Sequence, residues 1–352
     1  SCEHVDLVFG THNIHHLPQL LKEAYFSKER VVEVLSNQGN ITEDLPSLRA
    51  SDFKAWVNIM YGCNKFCTYC IVPYTRGKER SRKSMDILQE IQELKDKGYK
   101  EVTVLGQNVN AYGKDIDDLS FPQLLEKIAQ IGIDRIRFTT SHPWDFSDEL
   151  IDVIAKYDNI MPHIHLPVQS GDDTILKRMG RRTNNKEIRG LIAKLRKEIP
   201  DIALRTTLIS GFPGETEEDH EILMQFVDDM EFDRLGVFAY SPEEDTPAFS
   251  FENQVPEEVK QERRDEIMEL QQEIAFEKSE AMKGRTLEVM IEGKVADENA
   301  YVGRTYMDSP NVDGLIFVNT GLSLMSGDFL KVRVTGASEY DLIGEAEDEF
   351  TE

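Results

Sequence analysis

The chain has 352 residues, 40% of them hydrophobic and 30% charged, with 65 acidic against 40 basic side chains and a formal charge of −25. That length suits one large domain plus a smaller one, and no run approaches the roughly eighteen consecutive apolar residues of a membrane-spanning helix. The negative surplus excludes a broad nucleic-acid-binding face, because phosphate binding depends on Lys and Arg displacing counterions; any RNA contact has to be local.

The opening SCEHVDLVFG has neither the basic start nor the long apolar stretch of a secretory leader, and no initiator Met, so a cytoplasmic protein beginning inside a longer chain is expected. Six short runs rich in β-branched and aromatic residues then read as buried parallel strands: WVNIMYG from Trp56, VTVLGQN from Val102, RIRFTTSH from Arg135, HIHLPVQS from His163, ALRTTLISGF from Ala203 and RLGVFAYS from Arg234. Helical patterns separate them, such as SMDILQEIQELKDKGY from Ser84 and FPQLLEKIAQIG from Phe121, each closed by a glycine suited to a C-terminal cap. Repetition of βα units predicts an α/β fold, an open or partial parallel (β/α)6 barrel, whose chemistry gathers at the C-terminal ends of the strands. Residues 256–284 read as a connecting helix with Ile267, Leu270 and Ile274 on one face. Beyond it, short alternating strands with Gly and Asn turns predict a small antiparallel β-barrel.

At the first strand end stands GCNKFCTYC, in which Cys63, Cys67 and Cys70 are three of the four cysteines of the chain. Four cysteines, three of them clustered, make a poor disulfide framework and a good metal-ligand set for a reducing cytoplasm. Zinc sites usually close with four protein ligands, and no fourth Cys or His lies nearby at zinc-finger spacing. Three thiolates would leave one iron of a 4Fe-4S cluster free for a small molecule. The bland alternative is three buried apolar thiols. Cys2 is isolated and reads as inert.

CNKFCTYC following the first of a βα series resembles the signature of the radical S-adenosylmethionine (SAM) superfamily. The resemblance implies that Cys63, Cys67 and Cys70 hold a 4Fe-4S cluster, that SAM binds its free iron and is cleaved to a 5′-deoxyadenosyl radical, and that Tyr69 lies near the adenine. Together, GCNKFCTYCIVPYTRGKERSR, LGQNVNAYG, RFTTSHP, HLPVQSG and GFPGETEED are similar to the methylthiotransferases, whose C-terminal barrel is called TRAM. That similarity implies that Gly106, Gln107 and Asn108 help to hold SAM, with Thr140 and Gln169 at comparable strand ends. By the period-two rule His163, His165 and Gln169 share one face of their strand and look into the barrel, where either histidine equally suits a satisfied core role.

The expected division is therefore residues 1–50 as the remnant of an N-terminal methylthiotransferase domain, 51–255 as the radical SAM barrel, 256–284 as the connecting helix and 285–352 as TRAM. The family's N-terminal domain carries a second 4Fe-4S cluster, and its ligands are missing from this sequence, with Cys2 too close to VDLVFG to be one. Electrons would come from a flavodoxin or ferredoxin, and a monomer without membrane attachment is expected. For the target, the front of the chain to about residue 170 resembles the MiaB branch, which acts on an isopentenylated tRNA adenosine, and the rest resembles the RimO branch, which acts on an aspartate of a small-subunit ribosomal protein. From Thr286 onward 14 Asp or Glu stand against four Lys or Arg. A TRAM barrel gripping tRNA should be basic, so this acidity favours the ribosomal-protein target, with tRNA as the alternative. The run TRGKERSRK, with Arg76, Lys78, Arg80, Arg82 and Lys83, points the other way, although it could equally hold the carboxylate of SAM or be a solvated helix start. A non-catalytic RNA- or ribosome-binding protein is the reading of another class.

Overall fold

The computed structural model describes residues 4–27, 29–35, 48–296 and 298–347; Cys2 lies outside them. A small βαβ unit comes first, β1 (Leu7–Phe9) pairing in parallel with β2 (Val31–Glu33) around α1 (Leu17–Ser27). The barrel begins with β3 (Lys54–Asn58), and a two-residue strand β4 (Met60–Tyr61) leads into the thiol loop. That loop carries the short helix α2 (Val72–Thr75) and returns through β5 (Arg80–Ser81), antiparallel to β4. There follow α3 (Ser84–Asp96), β6 (Glu101–Leu105), α4 (Phe121–Ile131), β7 (Arg135–Phe138), α5 (Asp148–Lys156) and β8 (His163–His165). The series ends with α6 (Asp173–Arg178), α7 (Asn185–Glu198), β9 (Ala203–Ser210), α8 (Glu217–Met230), β10 (Arg234–Ala239) and α9 (Glu257–Ala281).

Local chemistry accounts for the helix boundaries. Ser120 and Gln123 close a capping box at the start of α4, and Gly132 ends that helix in the left-handed conformation, φ 77°. Each helix turns one apolar stripe inward: Ile87, Ile91 and Leu94 from α3, Leu124, Leu125 and Ile128 from α4, and Ile188, Ile192 and Leu195 from α7 all join the core that covers Val57, Val104, Ile136 and Leu208 of the strands. Burying each such side chain contributes about 1.5–3 kcal/mol.

All six strands are parallel and in sequence order, yet they form two three-stranded sheets, β3-β6-β7 and β8-β9-β10. Strand β8 stops after three residues because Pro162 and Pro167 flank it without N–H groups to donate. The expectation of one regular face for His163, His165 and Gln169 is thereby corrected. Gln169 lies beyond the strand with φ 73°, touching β9 only through a single bridge to Leu208. Helix α9 also does more than connect: Ile267 and Ile274 are part of the main core, and α9 packs on α8, β9 and β10 before reaching the second barrel.

That second barrel closes in the order β11 (Thr286–Lys294), β12 (Ala300–Arg304), β13 (Ile316–Asn319), β15 (Asp341–Ala346) and β14 (Phe329–Ser338). One seam departs from the expected antiparallel pattern, since β13 and β15 run parallel. Strand β14 crosses to pair with β11, so its hairpin partner β15 arrives beside β13 in the same direction. The small barrel sits beneath the large one, against the N-terminal ends of the strands. Arg304 reaches Glu101, Arg137 donates to the Thr305 carbonyl, and Arg234 and Arg205 pair with Asp308 and Asp313. The C-terminal ends therefore face away from it.

Candidate functional site

Three turns of backbone build the thiol loop. Gly62 adopts φ 77°, and a β-carbon there would stand 2.1 Å from the Lys78 carbonyl oxygen, so only glycine lets the two sides of the loop approach. The Gly62 amide donates to Gln107 Oε1, which ties the loop to the end of β6. Asn64 and the buried Glu79 exchange hydrogen bonds across the loop at 3.0–3.2 Å. Thr68 donates from its amide to Met179 and from its hydroxyl to Arg178, which pins the loop to the end of α6.

Cys67 is buried, and Cys63 and Cys70 are half-buried. Burial first, with repulsion from Glu79 and the neighbouring thiols second, pushes Cys63 up to about 11, and burial raises Cys70 as well. Cys63 and Cys70 therefore become thiolates only against a compensating cation, as metal ligation supplies. Among the described residues no three His, Cys, Asp or Glu side chains are gathered to hold a single metal ion. A 4Fe-4S cluster asks for something else, one thiolate on each of several irons, and three thiols spread along one loop suit that demand. Arg181, 5% exposed, places Nη1 3.7 Å from Cys67 Sγ and donates through Nη2 to the Pro167 carbonyl. It puts a permanent positive charge beside the most buried thiol. Nothing but the basic pair after QSGDDTILKRMG signals it in the sequence.

The neighbouring strand ends carry the expected polar residues. At Gly106 an added β-carbon would meet Met60 Cγ at 2.6 Å. Asn108 donates to Asp145, and its own Oδ1 finds no partner among the described residues; Ser141 Oγ and Gln169 Oε1 share that condition. An unsatisfied buried polar group costs about 1–3 kcal/mol. Phe66, Thr140 and Gln169 add left-handed backbone, φ 49°, 67° and 73°, each outside glycine's exemption and costing about 1–3 kcal/mol. Orphaned acceptors and strain at one mouth fit a site that a polar ligand completes. Tyr69 lies against Phe212 with ring centroids 6.4 Å apart, in an aromatic cluster with Tyr240 and Phe251, and its phenol is raised by burial.

The remaining expected residues divide between the two ends. His165 hydrogen-bonds Thr139 and Thr207 inside the barrel, and burial followed by Arg205 lowers it to about 4. His163 instead faces the small barrel, 3.4 Å from Ser309 Oγ, and is neutral through burial. Of the basic run, Arg82 is buried on Asn58 and Glu90 and Arg80 lies over the Tyr61 ring, while Arg76, Lys78 and Lys83 are exposed. Asp145 was not singled out by sequence reasoning. Burial would raise it, but bonds from Lys114, Lys65 and Asn108 outweigh that and hold it at about 2. A cleft of about 610 Å³ opens beside it, lined by Asn110, Lys114, Trp144 and Phe146. A cleft of about 710 Å³ at the opposite end, between Lys54, Lys100 and Glu292, lies far from the thiols and holds none of these features.

Residues 57–227 match the Radical SAM superfamily and residues 284–346 the TRAM domain. The tRNA-2-methylthio-N(6)-dimethylallyladenosine synthase of Geobacillus thermodenitrificans (strain NG80-2) is 50% identical over 99% of this chain and 66% of its own length. The synthase of the same name from Bacillus cereus (strain B4264) is 49% identical over 99% of this chain and 68% of its own. This chain thus spans about two thirds of these relatives. Coproporphyrinogen III oxidase (HemN) from Escherichia coli, a solved structure, covers 81% of this chain and 66% of that chain at 13% identity and a TM-score of 0.43.

These relatives overturn the preference for a ribosomal-protein target. Part of the acidity that suggested it is directed inward: Glu292, Asp308 and Asp313 are buried against Lys54, Arg234 and Arg205 of the large barrel, Glu288 meets Arg135 from an exposed position, and Asp328 and Asp341 cap turns. Counting charges along the sequence took these interface carboxylates for part of an outer face. Identity near one half, sustained from the thiol loop through the small barrel, places the chain: it belongs to the radical SAM methylthiotransferase family.

Proposed function

We propose that the chain is the catalytic portion of an enzyme that adds a methylthio group to carbon 2 of an N6-dimethylallyladenosine in tRNA. The support is the name shared by relatives about 50% identical along nearly all of this chain. In this reading Cys63, Cys67 and Cys70 hold a 4Fe-4S cluster, and Tyr69, Gly106, Gln107, Asn108, Thr140 and Gln169 line the place of SAM. The cluster supplies one-electron cleavage of SAM when bound. The chain's own residues do the rest. Arg181 balances the thiolate charge at Cys67, Gly62 ties the loop to the end of β6, Asn64 braces it against Glu79, and the oxygens of Asn108, Ser141 and Gln169 that lack partners among the described residues await donors of the ligand. His165, neutral at physiological pH and fixed between two threonines, adds no charge to the barrel's interior.

The division into a front remnant, radical SAM barrel, connecting helix and TRAM domain belongs to the same proposal, as does an electron donor of the flavodoxin or ferredoxin class. Among the described residues no helix is long and apolar enough to cross a membrane. The test is anaerobic reconstitution with iron and sulfide. About four irons per chain and release of 5′-deoxyadenosine from SAM under reduction are expected, with both lost in Cys67→Ala. Iron binding and SAM cleavage that survive this substitution would remove the ligand assignment. For the substrate, mass spectrometry of tRNA bearing N6-dimethylallyladenosine, incubated with the chain within its full-length protein, should show the added methylthio group. Modification of a ribosomal protein and not of the tRNA would refute it.

A further inference from the structure

Trp144 is the feature that neither the fold nor the ligand site uses. It is the middle residue of the 3-10 turn Pro143–Asp145 that follows β7, is 50% exposed, and carries cations on its ring: Lys65 Nζ 4.3 Å and the Arg182 guanidinium 5.3 Å from its centroid. A large aromatic left half in water loses burial energy, and the strongly hydrated Lys65 ammonium drawn over it loses solvation, while the planar, weakly hydrated Arg182 guanidinium suits a ring face. Lys65 is anchored a second time on Asp145, the carboxylate that also holds Asn108 of the ligand site. Phe66, next to Lys65, is likewise 50% exposed and meets the 54% exposed Tyr74 edge to face at 5.9 Å. Its backbone lies close to Gly180, two residues before Arg182. Three exposed rings interleaved with cations thus rim the mouth in which the thiols sit, with Arg76, Lys78 and Lys114 exposed nearby.

In a chain of charge −25 this concentration of cations marks where a polyanion is accepted, and exposed rings beside it offer faces to unstacked bases. We infer that Trp144, gripped by Lys65 and Arg182, is a stacking platform for a nucleobase of a single-stranded RNA loop, with Phe66 and Tyr74 receiving its neighbour, so that the base to be modified is held over the thiol loop. A protein partner would gain little from rings so separated by charge. The inference deepens the tRNA reading and rests on it. Trp144 positions substrate and takes no part in the bond changes.

The probe is a synthetic RNA stem-loop with N6-dimethylallyladenosine in its loop, added to the reconstituted chain. The sequence holds two tryptophans, so Trp56→Phe leaves Trp144 as sole emitter. Its fluorescence should be quenched as the RNA binds. Trp144→Ala should weaken binding of the labelled stem-loop about five- to hundred-fold by anisotropy, with Trp144→Phe recovering most of it. Arg182→Ala should lower the salt dependence by about one counterion. Circular dichroism and iron content establish that each variant is folded and loaded. Bound RNA with unchanged emission, or Trp144→Ala binding within about twofold of wild type, overturns the platform and leaves the tRNA reading standing. Failure of the unsubstituted chain to bind the stem-loop at low salt overturns both.

Discussion

The two ends of the large barrel are both polar, and they differ in what their polar groups meet: at one end buried charges are paired, with only Arg135 Nε, Arg137 Nη1 and His163 Nδ1 lacking partners among the described residues, and at the other neutral oxygens are left over. At the N-terminal end Glu101, fully buried, is bound by Arg137 and by both terminal nitrogens of Arg304, while Arg234 and Arg205 meet Asp308 and Asp313. Burial alone would raise Glu101, but these arginines hold it below the ordinary carboxylate range. At the C-terminal end Asn108, Ser141 and Gln169 keep oxygens without partners among the described residues, and the backbone is left-handed at three non-glycine positions. At one end the buried charges are paired by another part of the same chain. The other is arranged for something the chain does not itself supply, which is how a binding site differs from a domain interface.

That contrast can be broken most forcefully at the closed end. Glu101→Gln should strand Arg137 as an uncompensated buried charge, leave Arg304 only Glu292, and lower stability by about 3–5 kcal/mol in urea unfolding. Replacing Glu101, Arg137 and Arg304 together with apolar residues should recover much of the loss. A loss below about 1 kcal/mol for Glu101→Gln would show that the ion layer is solvated and that the two barrels are held by other contacts.

At the open end the expected effect is smaller in stability and larger in function. Gly62→Ala forces a β-carbon onto the Lys78 carbonyl at a left-handed φ, which should cost roughly 1–3 kcal/mol and open the thiol loop. Reconstituted iron should fall with it, measured against the unfolding midpoint. Normal iron content in a destabilised Gly62→Ala protein would mean that the loop tolerates the shift.

Acidification tests both ends with a gentler perturbation. His142 is lowered to about 3 and His165 to about 4, each first by burial and then by nearby arginine, and His163 is lowered too. All three folded values lie below the unfolded one, so the unfolded chain binds more protons as pH falls beneath about 6.5. Stability should decline from pH 6.5 toward 4, by up to about 1.4 kcal/mol per pH unit for each histidine. His165→Asn should make the decline shallower. An identical slope for that variant, in urea unfolding at pH 7 and pH 5, would show that His165 is already solvated.

Much of this was legible beforehand because it depends on neighbours in sequence. The six strands, the helix caps such as Gly132, and the crowding of Cys63, Cys67 and Cys70 at a strand end follow from periodicity and spacing. What misled was anything summed along the chain. The acidity after Thr286 looked like an outer face, and His163 seemed to share a face with Gln169 until two prolines cut their strand short. Asp145 and Trp144 carried no local signal at all, and Arg181 only that of a basic pair.

Sequence alone decided that βα units would alternate, that a glycine would end α4 and that three thiols would stand together, since propensity, chirality and spacing act within a few residues. Tertiary structure alone decided which charges are buried against partners distant in sequence, such as Arg304 on Glu101, and which polar atoms are left waiting at the opposite mouth. The reason is desolvation: the energy of a charge depends on what surrounds it in space, and the order of residues along a chain does not contain that distance.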